Sequence, residues 1–211
     1  MNISNAKIYH ITHINNLDNI IRNRAVYSDA RLSKMDINTE VVGMESIKYR
    51  RLHEIKVKCY PHTTVGQYVP FNFCPRSIML YILHKSNHEN IKYSGGQAPI
   101  LHLQADFHNA VEWAEKNNVK WAYTDINAST FYANFYNKLN NINENINWQA
   151  VNSKHWQDKE IKERKQAEFL FYDLFPLELI EKIGVFSKEQ KLLVSKKVNN
   201  IDVSIETSWY Y

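Results

Sequence analysis

Gln166-Ala167-Glu168-Phe169-Leu170-Phe171-Tyr172 is the stretch whose reading decides the fold. A short run of bulky apolar and aromatic residues, too brief for a core helix, reads as a strand buried on both faces. Glu168 is its anomaly. A carboxylate at the mouth of an apolar strand is costly unless it is paired or put to use. The residues alone leave two readings open: an ion pair with the neighbouring Arg164 or Lys165, or a functional carboxylate.

The segment leading into this strand, from Trp148 to Arg164, is polar and charged, and the residues before Glu168 include Lys154, Lys159, Lys162, Arg164 and Lys165. Asp158, Glu160 and Glu163 offset three of those five charges, and Trp148 and Trp156 offer stacking faces. Such a mixture suits weak, salt-sensitive contact with an unpaired nucleic-acid strand. Beyond Tyr172 the pattern predicts short helices at 176–182 and 188–198 and strands near 183–186 and 202–206.

Working back toward the start, Ala128, Phe131, Tyr132, Phe135, Tyr136 and Leu139 recur at helical spacing and predict a core-facing helix. Pro99 to Leu103 reads as a strand, followed by a helix capped by Asp106 with Phe107, Ala110, Val111 and Ala114 on its buried face. Tyr68-Val69-Pro70-Phe71-Asn72-Phe73 reads as another strand. Pro70 pushes it toward a sheet edge or a bulge. Pro75 then marks a helix start whose buried face is Ile78, Met79, Ile82 and Leu83. Residues 28–66 show little periodicity and hold the densest basic run: Lys48, Arg50, Arg51, Lys56 and Lys58 against Glu54. A loop that long is functional or partly mobile. Near the start, Ile8 to Thr12 forms a strand, Asn15-Asn16 caps a short helix bearing Leu17, Ile20 and Ile21, and His13 lies at the turn between them.

The chain has 211 residues, 44% of them hydrophobic, with no repeat, linker or shift in composition. It reads as one α+β domain spanning 1–211. A net charge of +4 cannot drive strong nonspecific nucleic-acid binding, so any basic surface must be local. Its apolar runs fall far short of a membrane span, and Met1-Asn2-Ile3-Ser4 lacks the shape of a signal peptide, which predicts a cytoplasmic protein with no membrane partner. Two cysteines, Cys59 and Cys74, give no disulfide framework. His84 and His88 have the spacing of one helix face but no companion ligands, so no metal is expected. The five glycines, at 43, 66, 95, 96 and 184, cannot write a GxGxxG or a P-loop, which removes the commonest nucleotide-binding architectures.

Six blocks in order together resemble the DarT family of DNA ADP-ribosyltransferase toxins. They are Tyr9 to His13, Gly43 to Arg51, Tyr68 to Tyr81, Pro99 to Leu103, Trp121 to Asp125, and Gln166 to Leu170. The resemblance implies a single-domain ADP-ribosyltransferase-like α+β fold, a split β-sheet with surrounding helices. It implies NAD as co-substrate and transfer of ADP-ribose to a base in single-stranded DNA, with thymidine slightly favoured over guanosine. By position, Arg51 and Glu168 would be the catalytic pair, with the adjacent Arg50 the competing choice of arginine. Ile11, Thr12, His13, Ser28, Tyr68 and Phe71 would contact NAD. Lys154, Lys159, Arg164 and Lys165 would contact DNA. The chain departs from its relatives at Asn127, where some have His, and at Ile78, where Pro is common.

The implied chemistry suits these residue types. Cleaving the nicotinamide bond builds oxocarbenium character at the ribose C1′, which a fixed carboxylate stabilises while accepting a hydrogen bond from a ribose hydroxyl. A guanidinium is protonated at neutral pH, so Arg51 would stabilise a deprotonated base or the diphosphate, and Glu168 would take the proton. The expected partners are single-stranded DNA and a cognate antitoxin, a macrodomain or another ADP-ribosylhydrolase, and the chain is expected to be monomeric. Two other classes compete: the same transfer directed at RNA or protein, and a noncatalytic single-strand-binding module.

Overall fold

The protein is described here from a computed structural model over residues 5–211; Met1-Asn2-Ile3-Ser4, on which the signal-peptide reading rests, lies outside the described residues. Strand β1 (Lys7–His13) runs into a 3-10 turn and then helix α1 (Leu17–Asn23), which buries Leu17 and Ile20. Strand β2 (Ala25–Tyr27) is followed by α2 (Asp29–Lys34), whose N-terminus is capped by Ser28 Oγ accepting from the Arg31 amide at 3.2 Å.

The stretch expected to be mostly loop continues with α3 (Glu45–His53) and a hairpin of β3 (Lys56–Val57) and β4 (Tyr60–Thr64). No residue of α3 is fully buried, so it carries no apolar stripe for a periodicity reading to find. Strand β5 (Tyr68–Asn72) leads to α4 (Ile78–Lys85), which starts at Ser77 rather than Pro75: Ser77 Oγ accepts from the Leu80 amide at 3.1 Å. Strand β6 (Ile100–Asp106) and α5 (Phe107–Lys116) follow, and Asp106 caps α5 over the anticipated buried face.

After β7 (Trp121–Thr124), the expected helix over 128–139 does not form. The chain turns instead, and only Phe135–Tyr136 is regular, as β8. Local side-chain hydrogen bonds win over helical propagation: Asn127 Oδ1 accepts from the Ser129 amide at 2.8 Å, and Asp125 accepts from both Asn134 nitrogens, at 3.0 and 2.9 Å. Phe131 and Tyr132, read as core, are exposed.

Short helices α6 (Ile142–Asn145), α7 (Trp148–Asn152) and α8 (Lys159–Arg164) precede β9 (Glu168–Tyr172), the strand that begins with the anomalous carboxylate. Strand β10 (Leu174–Pro176) pairs with β2. The helix expected at 176–182 is only a 3-10 turn, Leu177–Leu179, because Ile180 already joins the sheet as the start of β11 (Ile180–Val185). Helix α9 (Lys188–Ser195) and β12 (Asp202–Ile205) complete the chain.

Eight strands form the main sheet in the order β12-β11-β6-β1-β5-β9-β7-β8. Only the β11–β12 pair is parallel. Pro70 therefore stands in a central strand, not at an edge. The sheet accommodates it by splitting: β5 runs alongside β9 over its whole length but pairs with β1 only at Tyr9 and Asn72. His10 Nδ1 donates to the Pro70 carbonyl at 2.8 Å across the gap. A missing backbone donor thus opens a seam where proline removes the ladder.

Alternation along β5 and β9 separates two cores. Val69, Phe71, Phe169 and Phe171 join the larger cluster with Phe107 and Phe175; Tyr68 and Leu170 join a smaller one with Val57, Val65, Ala122 and Ile126. Each buried Phe contributes about 1.5–3 kcal/mol. By the same alternation Glu168 shares a side of the sheet with Leu170 and Tyr68, the side over which α3 is laid. Among the described residues no helix is long and apolar enough to cross a membrane.

Candidate active site

Glu168 is 4% exposed and stands directly across from Asn72 of β5. Its carboxylate is met by three donors. Arg51 Nη1 and Nη2 approach Oε1 and Oε2 at 3.2 and 2.9 Å, and the Ala128 amide donates to Oε1 at 2.9 Å. Its own amide donates to Thr124 Oγ1 at 3.1 Å, and that hydroxyl donates onward to the Ile126 carbonyl at 2.6 Å. The sequence-local alternative partners are engaged elsewhere. Arg164 pairs with Asp125 at 3.2 Å, and Lys165 Nζ donates to the Val151 carbonyl at 2.8 Å beside Cys74 Sγ at 3.4 Å.

The arginine comes from α3, the helix with no buried residue. Its position is fixed by Gly66, where an added Cβ would fall 2.8 Å from Leu52 Cα, so only glycine lets the helix backbone settle so closely. Arg51 also donates to Ser129 Oγ at 3.3 Å. Arg50 does not reach the carboxylate: it pairs with Glu54 at 3.5 Å and donates to the Ser129 carbonyl at 3.5 Å. A bidentate guanidinium–carboxylate pair at 12% and 6% side-chain exposure is both short and largely removed from water, the setting in which charge-assisted hydrogen bonds are strongest.

Both side chains line a cleft of about 330 Å³ that opens over the seam between β1 and β5. Its floor includes His10, Pro70 and Asn72; α1, β2 and α2 supply one wall, and residues 39–51 the other. Burial holds the His10 imidazole below its ordinary pKa, against the smaller opposing effect of the Pro70 carbonyl, so the floor there is neutral. Asn16 ties the second wall down: Nδ2 donates to Thr12 Oγ1 at 3.1 Å and to the Glu40 carbonyl at 3.0 Å, and Oδ1 accepts from the Glu40 amide at 2.7 Å.

Of the six residues expected to contact NAD, Ile11 and Thr12 line this cleft. His13 instead accepts from the Asn15 amide at 3.2 Å and packs edge-on against Tyr93. Ser28 is buried as the cap of α2, Tyr68 is buried with its hydroxyl on Thr63, and Phe71 is buried between Phe169 and Phe175. None of these four lines the cleft. Asn72, Asn127 and Ser129, none chosen from sequence for a contact role, stand at it or on its arginine.

Next to the cleft lies a second depression, lined by Arg50, Lys159, Lys162, Glu163, Ser129 and Thr130 among others. Ile47 and Asn127 border both. Of the residues expected to contact DNA, Lys159 lines this depression, Lys154 is exposed, Arg164 is half-buried in its pair with Asp125, and Lys165 is 3% exposed with its amine directed into the core. Trp148 packs on Phe73, and Trp156 packs on Tyr81. Among the described residues no group of three or more His, Cys, Asp or Glu could hold a metal, and His88 lies beyond the end of α4, off the helix face it was expected to share with His84.

The sequence model of a family described as "ssDNA thymidine ADP-ribosyltransferase, DarT" matches residues 9–211. A DNA ADP-ribosyl transferase of Thermus aquaticus is 35% identical over 97% of this chain and 88% of its own. The structure of Thermus sp. 2.9 DarT in complex with ADP-ribosylated ssDNA superposes with a TM-score of 0.88 at 33% identity, over 99% of this chain and 97% of that one. The same protein in complex with NAD+ gives 0.82 at 32% identity, over 98% of each. With the carboxylate and arginine already paired at the base of one cleft, these likenesses establish that the chain belongs to the DarT family of DNA ADP-ribosyltransferases.

Proposed function

We propose that this DNA ADP-ribosyltransferase takes NAD into the cleft over the β1–β5 seam and transfers ADP-ribose to a thymidine base of single-stranded DNA. The observation that carries this reading is the bidentate Arg51–Glu168 pair at the cleft base, held by the Ala128 amide. In the reaction the bond from ribose C1′ to nicotinamide breaks, its electron pair leaving with nicotinamide. A ring nitrogen of the base bonds to C1′, and its proton passes to Glu168 and then to water.

Glu168 stabilises the positive charge that grows at C1′ and orients a ribose hydroxyl; Arg51 balances the carboxylate and then the anionic base. Ile11, Thr12 and Asn72 line the NAD side, and Lys159 and Lys154 face the DNA side. Thymidine is supported by the description of the matching family, and single-stranded DNA as acceptor by the ADP-ribosylated ssDNA held by the Thermus sp. 2.9 relative. As in a toxin–antitoxin pair, a cognate hydrolase would reverse the modification. The chain would act as a cytoplasmic monomer and a single domain. Duplex DNA resists, since unstacking a base costs a few kcal/mol.

The test is to incubate the purified protein with NAD and four homopolymeric oligonucleotides and to weigh the products. A gain of one ADP-ribose per thymidine strand, with nicotinamide released, is expected. No gain on any strand, or a gain on competing RNA alone, overturns the reading.

A further inference from the structure

Phe131 is 92% exposed, the most exposed large apolar side chain among the described residues, where the next, Leu192, reaches 65%. It is not on a floppy segment. The turn that carries it is fastened at both ends and across its middle. The Thr130 amide donates to the Asn127 carbonyl at 2.9 Å and the Ala133 amide to the Thr130 carbonyl at 3.0 Å. Lys58 Nζ donates to the Ala133 carbonyl at 2.6 Å, and the Tyr132 hydroxyl bonds to Glu163 of α8. The turn begins at Ala128, whose amide holds Glu168, and its Ser129 Oγ accepts from Arg51. An apolar ring displayed on so well-tied a turn, two residues past Ser129, the last of the catalytic pair's own contacts there, has no packing role to explain it.

The surroundings carry an excess of positive charge, with Arg50 also paired to Glu54. Thr130 and Ser129 form part of the second depression, whose cations are Arg50, Lys159 and Lys162. Glu163 is its single carboxylate and is already bonded to the Tyr132 hydroxyl. Three cations beside an exposed aromatic ring, adjoining the cleft through Asn127 and Ile47, match a strand of alternating phosphates and flat bases. A folded protein partner would want an apolar patch around the ring, and here its neighbours are polar and basic.

The geometry points to Phe131 as the stacking platform for the base adjoining the modified nucleotide, with Arg50, Lys159 and Lys162 taking the phosphates on either side of it. This rests on the reading that the cleft modifies single-stranded DNA. Every base has a π-face, so the platform holds the strand without choosing its sequence at that flank. The turn is already ordered, and little entropy is lost on binding.

The experiment compares wild type, Phe131→Ala and Phe131→Trp on thymidine oligonucleotides carrying an abasic site on one or the other side of the acceptor. Expected for Phe131→Ala is a rise in oligonucleotide KM on the order of tenfold, the usual loss for one base–aromatic stack. Its thermal midpoint and NAD affinity should match wild type, since the ring packs on nothing. An abasic site at one flank should cost wild type a similar factor and cost Phe131→Ala nothing further. Phe131→Trp should retain the wild-type KM and show indole quenching by single-stranded DNA beyond that of the native tryptophans. An unchanged KM for Phe131→Ala, or an abasic penalty equal in both proteins, overturns the proposal. Should wild type modify no base, the proposed function fails. The Phe131→Trp signal then still decides, because quenching by unmodified oligonucleotide supports the platform and its absence overturns it.

Discussion

The Ala128 amide donates to Glu168 Oε1 at 2.9 Å, so the oxygen shared with Arg51 Nη1 also answers to a backbone donor, while Oε2 meets Arg51 Nη2 alone. The carboxylate is thereby fixed in rotation as well as position, and the turn after β7 becomes part of the site.

Glu168→Gln tests that arrangement. An amide must aim an NH2 at either the Ala128 amide or the Arg51 fork, and it carries no charge to offset C1′. Transfer should fall roughly 10²-fold or more, measured in single-turnover reactions by mass spectrometry. The thermal midpoint should drop as well, because Arg51 at 12% side-chain exposure loses its counter-charge. Activity above a tenth of wild type would be incompatible with the role assigned to the carboxylate.

Thr124 should act as a positioning residue. Its hydroxyl, fully buried, accepts from the Glu168 amide and donates to the Ile126 carbonyl, linking the strand that bears the carboxylate to the segment that clamps it. Thr124→Val keeps the shape but leaves both partners unsatisfied, at a cost of about 1–3 kcal/mol in unfolding free energy. Turnover should fall about tenfold while NAD affinity stays the same, and Thr124→Ser should restore both stability and turnover. A change in NAD affinity with turnover intact would place Thr124 elsewhere in the cycle.

Much of this fold is legible in the residues. The strands around Ile8–Thr12, Pro99–Leu103 and Glu168–Tyr172 announce themselves as apolar runs, and Asp106 heads its helix in plain view. Helix α3 is not legible, because what holds it is a glycine 14 positions past Leu52 and a carboxylate 117 positions past Arg51, neither of which leaves a local period. The 128–139 stretch misleads for the opposite reason. Its aromatic spacing is helical, but Ala128 and Phe135 face the small core while Phe131 faces water, and Asn127 and Asp125 capture the backbone first. At the site, Arg51 and Glu168, the two residues singled out by the resemblance, pair in one cleft, yet Phe71 points into the core because Pro70 and Asn72, one step to either side, take the cleft-facing positions. The resemblance implies an NAD contact for Phe71, and strand parity assigns its ring to packing.

Lys165 and Lys159 should separate cleanly in a salt titration. Lys165 Nζ lies in the interior on the Val151 carbonyl, whereas Lys159 is exposed at the basic depression. Lys159→Ala should make the dependence of log binding on log salt shallower by ~0.7, one phosphate contact on a single strand. Lys165→Met should leave that slope alone and lower stability by about 1–3 kcal/mol, the cost of an unpaired buried carbonyl. Fluorescence anisotropy with a labelled oligonucleotide at several salt concentrations reads the first effect, and denaturant unfolding reads the second. A shallower slope for Lys165→Met would mean that the amine reaches DNA.

Acid sensitivity should trace in part to His102. The imidazole is 0% exposed in β6, with Nε2 donating to the Pro75 carbonyl at 3.0 Å and the ring wedged against Trp209 and Tyr210. Burial pushes its pKa down to about 4, more than the Pro75 carbonyl restores. An unfolded histidine titrates near ~6.5, so between those values the unfolded chain binds a proton that the folded chain refuses. Stability from this group is therefore full above about pH 6.5 and is lost as pH falls toward 4, amounting to about 2 kcal/mol between pH 7 and pH 5. His10, held low by burial as well, adds to the loss with the same sign. His102→Gln keeps a donor for Pro75 and removes the titration. Urea unfolding at pH 7 and pH 5 should show its stability falling by about 2 kcal/mol less than that of wild type over the interval. Equal losses in the two proteins would mean that His102 is protonated in the folded state, and its neutral burial against Trp209 and Tyr210 would have to be abandoned.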